Sequence, residues 1–333
     1  MEILRFFESI RNPFLDAIFS AVTYLGDEIA FMAVAILLFW CVNKRSGYFM
    51  LISGFFGILI NQTLKLACKV PRPWERAPGI AVESAIGAAT GYSFPSGHSQ
   101  NAVSVGGAIF LTSKKRWIKI VCVVLSVMVL ISRMYLGVHT LWDVLAGAAC
   151  AVMVLLLLED IFKSDEKFHK LMPYIVAALT LLTVAFYIYA TIESNSGEKN
   201  AASALKNAGT LLGCSAGLIL IYPLDRYVIK FETKASWYVQ IIKVVVGFGV
   251  VMAIKVLLSS PLEALLGDFG RVVRYFLMVA FAGAVWPLCF KYLAKIKIGA
   301  LDRFGARVAA LFVKKEDKNE KAKKSKEKKK AKK

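Results

Sequence analysis

Acidic residues are scarce in this chain: 23 Asp and Glu stand against 42 Lys and Arg over 333 residues, a formal net charge of +19, and histidine occurs only three times. A two-metal hydrolytic centre needs several clustered carboxylates. Close to the polar blocks described below, only Asp143, Glu75 and Glu83 could contribute, so neither metal nor other cofactor is expected. Six cysteines (Cys41, Cys68, Cys122, Cys150, Cys214, Cys289) lack paired short spacings and lie in or beside apolar segments, which argues against disulfides and metal ligation. No small-residue cleavage site follows the first apolar run, and Met1 to Asp16 carries Glu2, Glu8 and Asp16, so a retained helix is expected there. There is no convincing internal repeat.

Hydrophobic residues make up 57% of the sequence and fall in long runs such as Ile29 to Val42, Ile118 to Ile131 and Val144 to Leu158. With their flanks these approach the ~20 residues that cross a bilayer. The pattern predicts an all-α polytopic transmembrane bundle with spans near 12–25, 27–43, 47–68, 98–113, 117–134, 138–160, 171–192, 206–223, 237–258 and 271–293. If each crosses, Lys44-Arg45, Lys114-Lys115-Arg116, Lys163/Lys167/Lys170, Arg226/Lys230/Lys234 and the tail share one side. The enrichment of cytoplasmic loops in Lys and Arg then places both termini in the cytoplasm, in what is expected to be the plasma membrane. From Lys314 onward the tail holds twelve lysines and four acids, the composition of a solvated, disordered segment. It could contact anionic lipid headgroups; with no aromatic residues interleaved, nucleic acid is not expected as a partner.

Three polar blocks interrupt the apolar sequence, and on this topology all open to the non-cytoplasmic side. In the first, Lys65 precedes Arg72 by seven residues, and Pro71 and Pro73 end the helix between them, so that both cations can converge on one anion. In the second, Pro95-Ser96-Gly97-His98 reads as a helix start: Ser96 as N-cap, Gly97 permitting close approach, and free N–H groups forming a phosphate site. His98 beside that anion could protonate a leaving alkoxide. In the third, Arg133 precedes Gly137, where a turn could bring it back, and His139 and Asp143 lie four apart on one helical face. Asp143 could accept a hydrogen bond from one imidazole nitrogen while the other attacks phosphorus. His169, in a loop on the opposite side, is assigned no role. Each block has an unremarkable structural reading by itself, such as a lysine snorkelling to the interface or an ordinary helix cap.

In order, the three blocks resemble the tripartite signature of the type 2 phosphatidic acid phosphatase (PAP2) superfamily, which also includes vanadium haloperoxidases. The resemblance covers residues from about 25 to 160. It implies a six-helix core and hydrolysis of a lipid phosphate or diphosphate through a phosphohistidine. His139 would be the nucleophile, Asp143 its orienting group and His98 the acid, with phosphate held by Lys65, Arg72, Ser96, Gly97 and Arg133. About four additional C-terminal spans depart from the usual six-helix bacterial form. The expected organisation is a core at 1–165, additional helices at 166–296 and a basic tail at 297–333. Phosphatidic acid, phosphatidylglycerophosphate and undecaprenyl diphosphate are the substrates the family suggests. A lipid transporter or scaffold, with Lys243 and Lys255 lining a polar path, is the non-enzymatic alternative, and a haloperoxidase-like enzyme a more distant one.

Overall fold

A computed structural model describes residues 1–87 and 89–305; all regular structure among them is helical. The chain opens with α1 (Glu2–Ser9) and α2 (Pro13–Thr23), the latter capped by Asn12, whose side chain accepts from the Leu15 N–H, with Pro13 at the first helical position. Then come α3 (Glu28–Leu37), α4 (Lys44–Cys68), two short helices α5 (Pro73–Arg76) and α6 (Glu83–Ile86), and α7 (Gly97–Thr112). The long helices α8 (Arg116–Tyr135), α9 (Leu141–Lys163), α10 (Asp165–Asn195) and α11 (Ala201–Pro223) follow. Last are α12 (Trp237–Leu257), α13 (Ser259–Leu266) and α14 (Phe269–Ala280), which continues through a π turn towards Leu293.

Among the described residues, seven helices are long and apolar enough to cross a membrane, and an eighth crossing arises if the bent pair Pro13–Gly26 and Glu28–Val42, which meet at 53°, counts as one. This corrects the expectation of ten separate spans at two places. α7 has 16 residues, about 24 Å at 1.5 Å per residue, yet it still packs between α4, α8 and α9. It is short because the segment before it folds into the end of the bundle instead of extending the helix.

The other correction concerns the N-terminus. Arg11 donates to the carbonyls of Tyr135 (2.9 Å) and Ile80 (2.6 Å), and the Tyr135 hydroxyl donates to Asp16 (2.7 Å). Phe19 stacks on the Tyr135 ring at 4.2 Å, and Thr23 accepts from Arg133 at 2.8 Å. Residues 7–23 therefore lie across the end of α8 where Arg133 sits. The last described residues lie at the other end, where Tyr238 donates to the Ile296 carbonyl (3.0 Å) and Trp237 to that of Leu301 (3.3 Å). The two ends of the described chain thus occupy opposite ends of the bundle, against the expectation of a shared face. Counting charges treats every apolar run as a crossing, but this first run is anchored by polar contacts at one level.

The C-terminal helices are built into the core. Asp225 accepts from Lys44 (2.5 Å) and Tyr48 (3.4 Å), Trp40 donates to the Ala282 carbonyl (2.8 Å), and Asn207 to Gln62 (3.1 Å). Tyr48, Phe168 and Tyr222 form an aromatic cluster across the same seam, Tyr222 meeting each of the other two rings edge to face. Outward-facing Leu157, Leu181, Val245 and Leu265 are exposed, as a lipid-facing surface requires. Lys243 and Lys255 do not line a path. Lys243 is fully buried, donates to the Glu232 and Thr233 carbonyls and lies over the Phe290 ring, while Lys255 pairs with Glu28 at the far end of α12. The lysine-rich tail from Lys314 falls outside the described residues.

Candidate active site

α4 ends at Cys68, closed by Lys69 in the left-handed conformation, and Pro73 starts a separate short helix. That break turns Arg72 back towards Lys65. Both cations are buried, at 8% exposure for Lys65 and 3% for Arg72, and among the described residues neither has a carboxylate in hydrogen-bonding reach of its head group. Their donors go to carbonyls of the loop before α7: Lys65 to Tyr92 and Ser93, Arg72 to Thr90 (2.5 Å) and Gly91 (2.9 Å). Arg72 also donates to the Val138 carbonyl (3.2 Å) and meets His139 Nε2 at 3.0 Å.

The last contact decides the imidazole tautomer. A guanidinium has only donors, so Nε2 must present its lone pair and the neutral ring carries its proton on Nδ1. Burial pushes the His139 pKa well below the ordinary imidazole value, with Arg72, Arg133, Lys65 and His98 acting in the same direction, so the ring is neutral at physiological pH.

Nδ1 faces Asp143 Oδ2 at 3.7 Å and has no hydrogen-bond partner among the described residues. The direct bond expected between this pair is not formed here. Asp143 is engaged otherwise: Oδ2 accepts from the Ser93 hydroxyl (2.6 Å) and from the Thr140 N–H (2.7 Å), and the Thr140 side chain caps α9 reciprocally. Hydrogen bonds at reaction centres often tighten only when substrate is present.

The second block joins this group through the backbone. Ser96 N–H donates to the Asp143 carbonyl (2.8 Å), and the Ser96 side chain accepts from the Ser99 N–H and hydroxyl at the start of α7. α9 presses on this turn so closely that a Cβ at Gly147 would stand 2.3 Å from the Ser96 carbonyl oxygen. A Cβ at Gly97 would meet only Asn61 Oδ1, at 3.8 Å, so space is open above the Gly97 backbone. His98 follows, half-buried, its carbonyl against Gly26.

Arg133 closes the ring of charge. It is 4% exposed, donates to Thr23 (2.8 Å), and leaves Nε without a partner. Gly137 makes the turn after α8 with φ +71°, letting Val138 N–H reach back to the Arg133 carbonyl (3.2 Å). All eight predicted residues lie at one end of the bundle, whereas His169 is at the other, beside Tyr222 and Asp165.

Sequence reasoning did not find Ser93, Thr140 or Thr23. Thr140, three residues before Asp143, carried a readable capping signal; Ser93 and Thr23 had none, since their partners are 50 and 110 positions away. Also unforeseen is the hold of the C-terminal helices on the site loop: Glu198 accepts from Tyr92 and Lys69, and Lys69 also pairs with Glu193 (2.9 Å).

Residues 45–164 match the PAP2 superfamily, and 205–297 match the transmembrane extension of PAP2 superfamily phosphatases. The chain is 30% identical over 174 residues to phosphatidylglycerophosphatase B of Bacillus subtilis, covering 48% of this chain and 82% of that protein. It is 25% identical to sphingosine-1-phosphate phosphatase 1 of Mus musculus, over 62% of this chain but only 49% of that protein. It is 32% identical to an undecaprenyl-diphosphatase of Sulfolobus acidocaldarius, over 37% of this chain and 58% of that protein. Among solved structures, a transmembrane PAP2-type phosphatidylglycerolphosphate phosphatase from Bacillus subtilis covers 49% of this chain and 83% of its own at 29% identity, with a TM-score of 0.40. The chain therefore belongs to the PAP2 superfamily of membrane lipid phosphatases and carries that superfamily's transmembrane extension.

Proposed function

We propose that this protein hydrolyses a lipid phosphate or diphosphate through a phosphohistidine on His139, at the membrane boundary. The observation that carries the reading is the 3.0 Å contact between Arg72 and His139 Nε2, which holds a nucleophilic lone pair inside a cluster of buried cations. A phosphoryl group entering there would take over donors of Lys65, Arg72 and Arg133 and the free N–H groups at the start of α7, neutralising its equatorial oxygens. Release of Arg72 from Nε2 frees the lone pair. Burial, then the charges of Arg133, Arg72 and Lys65, hold the His98 pKa down to about 3; the negative charge of the arriving phosphate offsets those cations, so His98 takes up a proton as the substrate enters. Nε2 then bonds to phosphorus, the bond to the lipid oxygen breaks, and protonated His98 delivers its proton to that oxygen. Asp143 stabilises the positive charge developing on the His139 ring. Water next attacks phosphorus, the phosphorus–nitrogen bond breaks, and His98 receives the water's proton and gives it up as inorganic phosphate leaves, returning both rings to their starting state.

The loops bearing Lys44, Lys114 and Lys163 lie at the end of the bundle opposite the site. With Lys and Arg favoured on the cytoplasmic side, the site would open to the non-cytoplasmic side, the substrate chain remaining in lipid. The purified protein in chelator is expected to release phosphate from at least one of phosphatidic acid, phosphatidylglycerophosphate, undecaprenyl diphosphate and a long-chain amino-alcohol phosphate. Silence on all four would sink the reading.

Ser93 serves as a positioning residue for Asp143. Losing a hydrogen bond to a buried carboxylate costs about 1.5–3 kcal/mol, so Ser93→Ala should lower kcat by about 10-fold or more with KM little changed. Ser93→Thr, which keeps the hydroxyl, should restore most of it. Equal losses in both variants would mean that Ser93 only fills space.

A further inference from the structure

Between the core and the extension lies a cavity of about 210 Å³, walled by α3, α4 and α7 on one side and by α11 and α14 with its π turn on the other. Its long direction follows the helices. Lining residues run on α4 from Tyr48 to Asn61 and on α11 from Asn207 to Ile221, about 20 Å at 1.5 Å per residue, or two-thirds of a ~30 Å hydrocarbon layer. That volume spread over that length makes a narrow chamber, with room for one aliphatic chain but not two.

Polarity changes along the chamber. Far from the site it is lined by Phe39, Leu51, Leu218 and Ile221; near the site by Glu28, Asn61, Gln100, Asn101 and the backbone of Gly97. Gly97 is also part of the phosphate turn, so the polar mouth adjoins the place where phosphorus would sit. Three amide oxygens there, Asn61 Oδ1, Gln100 Oε1 and Asn101 Oδ1, are buried and have no hydrogen-bond partner among the described residues. Their amide nitrogens are already committed, to the Pro95 carbonyl (3.4 Å), Ser104 Oγ (2.9 Å) and the Gly26 carbonyl (3.2 Å). What remains is an excess of acceptors, and buried acceptors without partners are costly. A ligand relieves that cost only by bringing donors. Glu28, at the same mouth, adds a carboxylate that already accepts from Tyr275 (2.7 Å) and Lys255 (3.1 Å).

We infer that this chamber is the substrate's chain site, and that it selects a single-chain lipid phosphate bearing a hydroxyl or ammonium close to the phosphate, the pattern of a long-chain amino-alcohol phosphate. The inference rests on the phosphatase reading above and adds to it the part played by the extension, which supplies one wall. The chain occupies the apolar length, the donor groups face the three amide oxygens, and the phosphate reaches the Gly97 turn. A two-chain glycerolipid would have to leave one chain outside.

The test uses the full-length protein in a fixed detergent, comparing kcat/KM for butyl phosphate, saturated alkyl phosphates of increasing length, an amino-alcohol phosphate of matching length and a diacyl phosphatidic acid. The expected result is a rise with chain length that levels off, at least a further 5-fold gain for the amino-alcohol over the plain alkyl chain, and a weaker response to the diacyl lipid. Two variants localise the effect. Ile58→Trp, which fills the chamber, should cut kcat/KM at least 10-fold for the long chains and leave butyl phosphate within 2-fold. Asn101→Leu should abolish the amino-alcohol preference alone. Equal kcat/KM for short and long chains, or a preference for the diacyl lipid, would overturn the chamber as chain site while leaving the phosphatase reading intact. No preference for the amino-alcohol would mean that the amide oxygens hold only water, overturning the selectivity. Failure to release phosphate from every ester would instead strike the phosphatase reading itself. If Ile58→Trp also loses butyl phosphate, the wild-type length series decides.

Discussion

His139→Ala is expected to lose phosphate release by at least about 10³-fold in kcat, since removing the proposed nucleophile would leave only binding and charge stabilisation. The position offers no substitute, because the Nε2 lone pair is presented by the contact with Arg72 and no other imidazole shares it. His98→Ala should behave differently. Without a general acid, an alkyl phosphate should slow by about 10²-fold or more, whereas nitrophenyl phosphate, whose leaving group needs no proton, should be affected much less. Rapid quenching of the wild type with labelled substrate should capture an acid-labile phosphoenzyme that is absent from His139→Ala. Full activity in His139→Ala would remove this residue from the mechanism.

The sign of the pH effect follows from the same environment. In the proposed mechanism His139 attacks unprotonated, and its pKa is depressed by burial first and by the surrounding cations next. The limb of kcat/KM that reports this ring in the free enzyme should therefore fall below the ordinary histidine range, with activity persisting as the solution is acidified. A limb at the usual imidazole value assigned to His139 by titration of its ring signal would contradict the buried environment.

Gly137→Ala is the second large effect. A side chain at φ +71° is disfavoured by about 1–2 kcal/mol, and the new Cβ would stand 2.0 Å from the Ile80 carbonyl oxygen and 2.7 Å from the Ala81 Cα. Both neighbours are backbone and cannot swing aside. Relief requires shifting the loop that also receives Arg11 on the Ile80 carbonyl, so a total loss of about 3 kcal/mol or more is expected. Thermal unfolding of the detergent-solubilised protein should show a clear drop in Tm, and kcat should fall because His139 is two residues away. An unchanged Tm would mean that the turn relaxes more freely than its contacts allow.

Much of the site could be read from residue types and spacing because its chemistry is local in sequence. Pro71 and Pro73 announce the break that turns Arg72 back, Ser96 announces a helix start, and the His139 to Asp143 spacing announces a shared face. The reading faltered where a partner is remote. The spacing does bring Asp143 to within 3.7 Å of His139, but it gives no sign that the carboxylate's hydrogen bonds come from Ser93, 50 positions earlier, and from the Thr140 N–H. Likewise, apolarity marked residues 12–25 as a crossing, yet Arg11 and Asp16 hold that segment at the site end of α8.

The sequence by itself determined the solvent and the chemistry: runs of apolar residues that only a helical bundle can hold in lipid, and basic and imidazole groups at the helix ends suited to a phosphoryl group. Tertiary structure alone decided which imidazole nitrogen carries the lone pair, which groups hold Asp143, where the N-terminal segment lies, and that the extension encloses a narrow chamber against the core. The physical reason is one of range. Hydropathy, caps and helical breaks act over a few residues and leave their mark in sequence, whereas a tautomer, an orphaned amide or a cavity is fixed by atoms brought together from distant parts of the chain.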